Sequence, residues 1–142
     1  MSEVNEMREI KRIVVHHTGR EKGTAESIRS YHVDVLGWRD IGYHYIIEKD
    51  GKLRLGRPDE MIGAHVKGKN RDSIGVAVMG NYEDYEFVFM GYFMASPQAR
   101  ALYSILKDLA HRYPDAEVVT HGELAETLCP GQNVQAWIDK WR

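Results

Sequence analysis

Two imidazoles and a thiol can hold a hydrolytic metal ion, and His16, His121 and Cys129 offer that set in this sequence. Each falls at the end of a predicted strand or in the loop beyond one. Such a donor set suits zinc, and three protein ligands leave a fourth tetrahedral position for water. Zinc lowers the pKa of bound water from ~15.7 toward ~7, which provides a nucleophile at neutral pH. The spacing is not that of a zinc finger, since the sequence has no CxxC or HxxxH pair. Other readings of the same residues stay open. His16 can be a hydrogen-bonded strand-end histidine. Cys129, the sole cysteine, can be a buried small apolar side chain or a reactive thiol. No His-Glu-x-x-His helix occurs, so no glutamate is marked as a general base.

The elements that must position these residues follow from pattern. Arg12 to His17 is β-branched and apolar up to its two histidines and reads as a buried strand. Thr24 is a candidate cap for a helix with Ile28, Tyr31, His32, Val35 and Leu36 on one face. Residues 43–48 and 52–55 read as strands joined by a tight Asp50-Gly51 turn. Residues 73–79, nearly all apolar, read as a central strand. The aromatic-rich stretch 83–95 lacks a clean period and reads as loop. Ser96-Pro97 then opens a helix with the stripe Leu102, Ile105, Leu106, Leu109 and Tyr113, which Pro114 ends. Residues 117–120 form a short strand, and Asn133 is the expected cap of a last helix bearing Val134, Trp137, Ile138 and Trp141. The expected fold class is therefore α/β: a single domain, residues 1–142, with a central mixed sheet flanked by about three helices.

Bulk properties narrow the function. The 142 residues are enough for one real core, and 43% apolar with 28% charged residues is an ordinary globular balance. No apolar run approaches the ~20 residues that cross a bilayer. A formal net charge of −2, without a lysine or arginine block, gives no electrostatic footprint for nucleic acid. Residues 1–12 are polar and mixed in charge, so a cytosolic start without a secretory signal is expected.

Five blocks add a resemblance. They are Val14-Val15-His16-His17-Thr18; Leu36-Gly37-Trp38-Arg39-Asp40-Ile41-Gly42-Tyr43-His44-Tyr45-Ile46-Ile47; and Gly63-Ala64-His65. The fourth is Asn70 and Ser73-Ile74-Gly75-Val76 with Gly80-Asn81, and the fifth is Thr127-Leu128-Cys129-Pro130-Gly131. Their order resembles the zinc-dependent N-acetylmuramoyl-L-alanine amidases shared by phage lysozyme amidases and peptidoglycan recognition proteins, across residues 11–141. The resemblance implies Zn2+ on His16, His121 and Cys129. It implies Tyr43 and Thr127 as the residues that accompany hydrolysis, where phage relatives carry lysine in place of Thr127. It also implies His65 and Asn70, then His44 and His32, as contacts along the peptide groove. Trp38 is either a groove wall or a core residue. By strand alternation, His17 is expected on the sheet face opposite His16.

The reaction implied is hydrolysis of the amide between muramic acid and L-alanine in peptidoglycan. The alternative is a non-catalytic wall-binding module on the same fold. Such relatives commonly carry serine in place of the cysteine, which is present here. Residues 57–61 depart from the glycine-tryptophan pair of animal relatives and are closer to the phage branch. The implied partner is peptidoglycan or its muropeptides, with no nucleic acid and no membrane, and the chain is expected to be a monomer. A phage or prophage lysin released to the cell wall is the expected setting.

Overall fold

The computed structural model describes residues 8–83 and 93–142. Its centre is the run expected to be buried: β1 (Arg12–His17) lies between β4 (Ser73–Val78) and β5 (Glu117–Thr120), parallel to both. β2 (Tyr45–Ile47) continues the parallel set beyond β4, and β3 (Leu53–Leu55) closes the edge antiparallel to β2. The five-stranded order is β3-β2-β4-β1-β5. Every residue of β4 is buried, as its unbroken apolar run requires of a strand covered on both faces.

Alternation divides the sheet into two layers. Ile13 and Val15 of β1, with Ile74, Val76 and Val78 of β4, join the larger core under α2 (Pro97–Arg112) and α4 (Gln132–Trp141). α2 is opened by Ser96, whose Oγ accepts from the Ala99 N–H at 3.1 Å, and by Pro97 in the first turn. A cap of this kind stabilises by about 1 kcal/mol. Beside it, buried Gln98 donates through Nε2 to the carbonyls of Met79 (2.7 Å), just past β4, and Ile47 (3.3 Å), the last residue of β2. On the other layer Ile41, Ile46 and Met79 pack with Ala25 and Ile28 of α1 (Ala25–Ser30). Ser73, Gly75 and Ala77 face this second layer by alternation, and their small side chains leave room above the sheet.

Among the described residues four α-helices flank the mixed sheet, one of them the single turn α3 (His121–Leu124). Two expectations need correction. The apolar stripe from Ile28 to Leu36 does not form one buried face. α1 stops at Ser30 and passes into a π-helical turn, Tyr31–Val35. The wider turn breaks the 3.6-residue period, leaving Val35 68% and Leu36 42% exposed while His32 is buried. Asn133 does not cap α4: Gly131, at φ +87°, holds that position, and Asn133 lies buried inside the helix. The expected loop at 83–95 falls mostly on residues 84–92, outside the described residues, although Phe93 joins the larger core. Among the described residues, no helix is long and apolar enough to cross a membrane.

Candidate metal centre and cleft

His16 is the fifth residue of β1 and is buried on the α1 side of the sheet. His121 follows the end of β5, the strand beside it, as the first residue of α3. Cys129 reaches the same place by a return of the chain. Gly122 donates its N–H to the Cys129 carbonyl at 2.8 Å, folding the 125–131 loop back over α3. The His17 N–H then points at Cys129 Sγ, 3.3 Å away. Donor atoms of His16, His121 and Cys129 all lie within 4.8 Å of one another. Zinc bonds of about 2.0–2.3 Å put tetrahedral ligands roughly 3.5 Å apart, so the three need only small movements to close on one ion. His16 Nδ1 and Cys129 Sγ are already 3.8 Å apart.

Electrostatics prepares the imidazoles and leaves the thiol to be activated. Burial, then repulsion from His65, His121 and His17, holds the His16 pKa well below the usual imidazole value. Burial also lowers His121, with His17 adding to it. Both rings are therefore neutral at pH 7, as ligation requires. Burial pushes the Cys129 thiol up to about 12, against a smaller opposing effect from the His17 N–H. A metal must displace that proton.

The three residues open onto a cleft of about 330 Å³ that is also lined by Tyr43, Thr127, His65, His32, Trp38 and Glu83. A second recess of about 210 Å³ shares Thr18, His32 and Tyr43 with it and adds Arg20 and Lys22, so the cleft has a cationic end. The Tyr43 ring lies 5.3 Å from that of His16, half-buried against the smaller core. Burial, reinforced by Cys129, raises its phenol and keeps it a proton donor. Thr127 is exposed, and its Oγ1 accepts from the Cys129 N–H at 3.3 Å, which leaves the hydroxyl proton free for a bound molecule.

The four expected groove contacts separate. His32 lines the cleft with its ring 4.5 Å from Trp38, and its Nδ1 takes the Gly42 N–H at 2.9 Å. His65 lines the cleft too, but both ring nitrogens meet protein groups. Asn70 is turned to the backbone, where its Oδ1 accepts from the N–H groups of His65 (2.9 Å) and Val66 (2.8 Å). His44 is 1% exposed and bridges structure. Its Nδ1 accepts from Gly75 N–H at 3.0 Å and its Nε2 donates to the Met61 carbonyl at 2.8 Å. Burial lowers His44 to about 4, so it remains neutral. His17 borders the same cleft, but its ring nitrogens are engaged away from the three donors: Tyr82 N–H binds its Nδ1 at 3.0 Å and Glu83 meets its Nε2 at 3.2 Å. Glu83 had no sequence signal, being one of three acidic residues in an aromatic-rich stretch. A larger cavity, about 510 Å³, holds none of the three donors. Its polar groups bind one another, with Tyr45, Tyr113 and Arg112 all on the Asp59 carboxylate.

Comparison with known proteins gives a consistent set of relatives. The family model described as N-acetylmuramoyl-L-alanine amidase matches residues 6–132. Over 116 residues the chain is 37% identical to the endolysin of Escherichia phage T7, covering 80% of this chain and 73% of that protein. It is 33% identical over 142 residues to peptidoglycan-recognition protein SC2 of Drosophila melanogaster, covering 90% and 72%. Among solved structures, the Ph2119 endolysin of Thermus scotoductus bacteriophage Ph2119 superposes with a TM-score of 0.80 at 29% identity, covering 99% of this chain and 91% of that one. The amidase LysC from Clostridium intestinale URNW superposes at 0.78 with 30% identity, covering 95% and 86%.

Proposed function

Because the chain belongs to the N-acetylmuramoyl-L-alanine amidase family, we propose that it is a zinc-dependent hydrolase of the amide joining muramic acid to L-alanine in peptidoglycan. The observation that carries this reading is the convergence of His16, His121 and Cys129 from three separate segments onto one cleft. Two neutral imidazoles and a thiol suit zinc, and a three-residue set leaves one position open for chemistry. Zinc, when bound there, supplies Lewis acidity that makes water nucleophilic at neutral pH and polarises an amide carbonyl.

The chain's own residues divide the remaining work. Tyr43, held protonated by burial beside Cys129, donates its phenol proton toward the oxygen on which negative charge develops. Thr127 donates its free hydroxyl proton from the exposed rim of the same cleft. His32 and Trp38 form an aromatic wall along it. Arg20 and Lys22, at the cationic end, suit the free carboxylates of a stem peptide. The setting that fits is a lysin acting on the cell wall, as the phage relatives' names indicate for those proteins.

The peptidoglycan-recognition relatives favour a second reading, binding without cleavage. Retention of Cys129 beside Tyr43 supports hydrolysis. Digestion of purified peptidoglycan separates the two. The amidase releases new L-alanine amino termini and no new reducing ends, whereas a recognition module binds the wall and releases neither. New reducing ends would move the reaction to the sugar strand, where two carboxyl groups must flank the bond.

A further inference from the structure

A chain of hydrogen bonds behind His16 has a direction that its end fixes. Ser73 Oγ, fully buried, donates its single proton to the Lys69 carbonyl at 2.8 Å, since a carbonyl can only accept. The other bond of that oxygen, 3.2 Å to His65 Nε2, must therefore be one it accepts. Nε2 carries the proton of the His65 ring, and Nδ1 keeps a lone pair. His16 Nε2 lies 2.8 Å from that Nδ1 and donates to it. With its one proton so placed, His16 has a bare Nδ1, and this is the atom 3.8 Å from Cys129 Sγ.

The surroundings hold His65 in that role. Gly75, two residues beyond Ser73 on the same face of β4, lies directly under its ring. A Cβ there would come within 2.7–2.9 Å of three ring atoms. Asn70 fixes the ring's backbone by accepting from the N–H groups of His65 and Val66.

The geometry points to His65 as a positioning residue: together with Ser73 it locks His16 in the tautomer whose Nδ1 lone pair faces His121 and Cys129. The inference rests on the metal reading above and gives His65 and Asn70 a task other than contacting the stem peptide. A ligand histidine whose second nitrogen is anchored binds metal more tightly, and losing the anchor typically costs ~10- to 100-fold in affinity.

Zinc affinity, measured by competition with a chromophoric chelator, is compared for wild type, His65→Leu, His65→Asn and Ser73→Ala. His65→Leu should bind zinc about 10- to 100-fold more weakly. His65→Asn, whose Oδ1 can stand where Nδ1 stood, should recover most of that loss. Ser73→Ala should fall between them. Nitrogen-15 NMR of metal-free wild type should find His16 protonated on Nε2 and bare on Nδ1, with a 15N–15N coupling across the bond to His65. A packing role alone would leave zinc affinity unchanged in His65→Leu. That result, or a His16 ring protonated on Nδ1, overturns the inference. Should the leucine variant fail to fold, the wild-type spectrum decides. Wild type that binds no zinc overturns the inference and the metal reading together. Wild type that binds zinc yet releases no amine from peptidoglycan overturns the amidase reading alone.

Discussion

Replacing Tyr43 by phenylalanine removes one oxygen from the cleft and separates catalysis from stability. The ring packs against Ala25, Ile28, Ile41, Ile46 and Met79, and phenylalanine keeps those contacts. Burial and Cys129 raise the phenol without a hydrogen bond to any neighbour contributing, so its loss strands no partner. Stability should therefore change by less than about 0.5 kcal/mol. For a chain of this size that moves Tm by roughly 2 °C at most. Turnover is another matter if the phenol stabilises developing negative charge. Removing one such donor typically costs ~100- to 1000-fold, about 3–4 kcal/mol of transition-state stabilisation. The assay is release of L-alanine amino termini from purified peptidoglycan, with zinc content and melting temperature measured on the same preparation. Phenylalanine protein that holds zinc, melts normally and hydrolyses wall at nearly the wild-type rate would refute the role given to Tyr43. Thr127→Ala gives a companion comparison, and the double variant should fall by less than the product of the singles.

Cys129→Ser should lose zinc and with it cleavage; full occupancy with normal turnover in that variant would overturn the ligand assignment. Because the two histidines are neutral at pH 7 and the thiol is not ionised, zinc binding should release one proton, from Cys129. Affinity should then rise about 10-fold per pH unit between pH 7 and 8, and a pH-independent constant from calorimetry would contradict this. Glu123 accepts from Arg142 at 2.8 and 2.7 Å, which holds its carboxyl at about 2 against 4.5. Its contribution is complete above pH 4.5 and lost as pH falls toward 2. Glu123→Gln should therefore cost about 1 kcal/mol or less at pH 7, after solvent screening, and progressively less in acid, read from denaturation midpoints. Leu106→Ala, emptying a fully buried site under the sheet, should cost about 2–5 kcal/mol in urea unfolding with zinc stoichiometry unchanged.

Strands and the long helix were legible because single signals dominate there. The run Ile13-Val14-Val15 and the Ser96-Pro97 cap each point one way, and both elements lie where the sequence puts them. The π-helical turn at Tyr31–Val35 was not legible, because a helical stripe and its interruption contain the same residues. Gly131 displaced Asn133 as the cap because only the three-dimensional return of the 125–131 loop demands a positive φ there. At the site, residue types led to His16, His121 and Cys129 and the resemblance joined them. What they could not specify was the facing of each neighbour. His44 and His65 look alike in sequence, yet His44 is sealed between Gly75 and Met61 while His65 borders the cleft. The partner of each ring nitrogen depends on Gly75 and Ser73, whose small size carries no local signal.

The order of strands also sets a timetable for synthesis. β1 is made first yet sits in the middle, hydrogen-bonded to strands that begin at Ser73 and Glu117. Pairing of such sequence separation forms slowly and late. The last donor of the candidate centre, Cys129, lies 113 positions beyond His16. A nascent chain that has passed Thr120 but not yet reached Cys129 holds all five strands and still lacks the complete donor set. The candidate centre is therefore completed later than the sheet that carries its first donor.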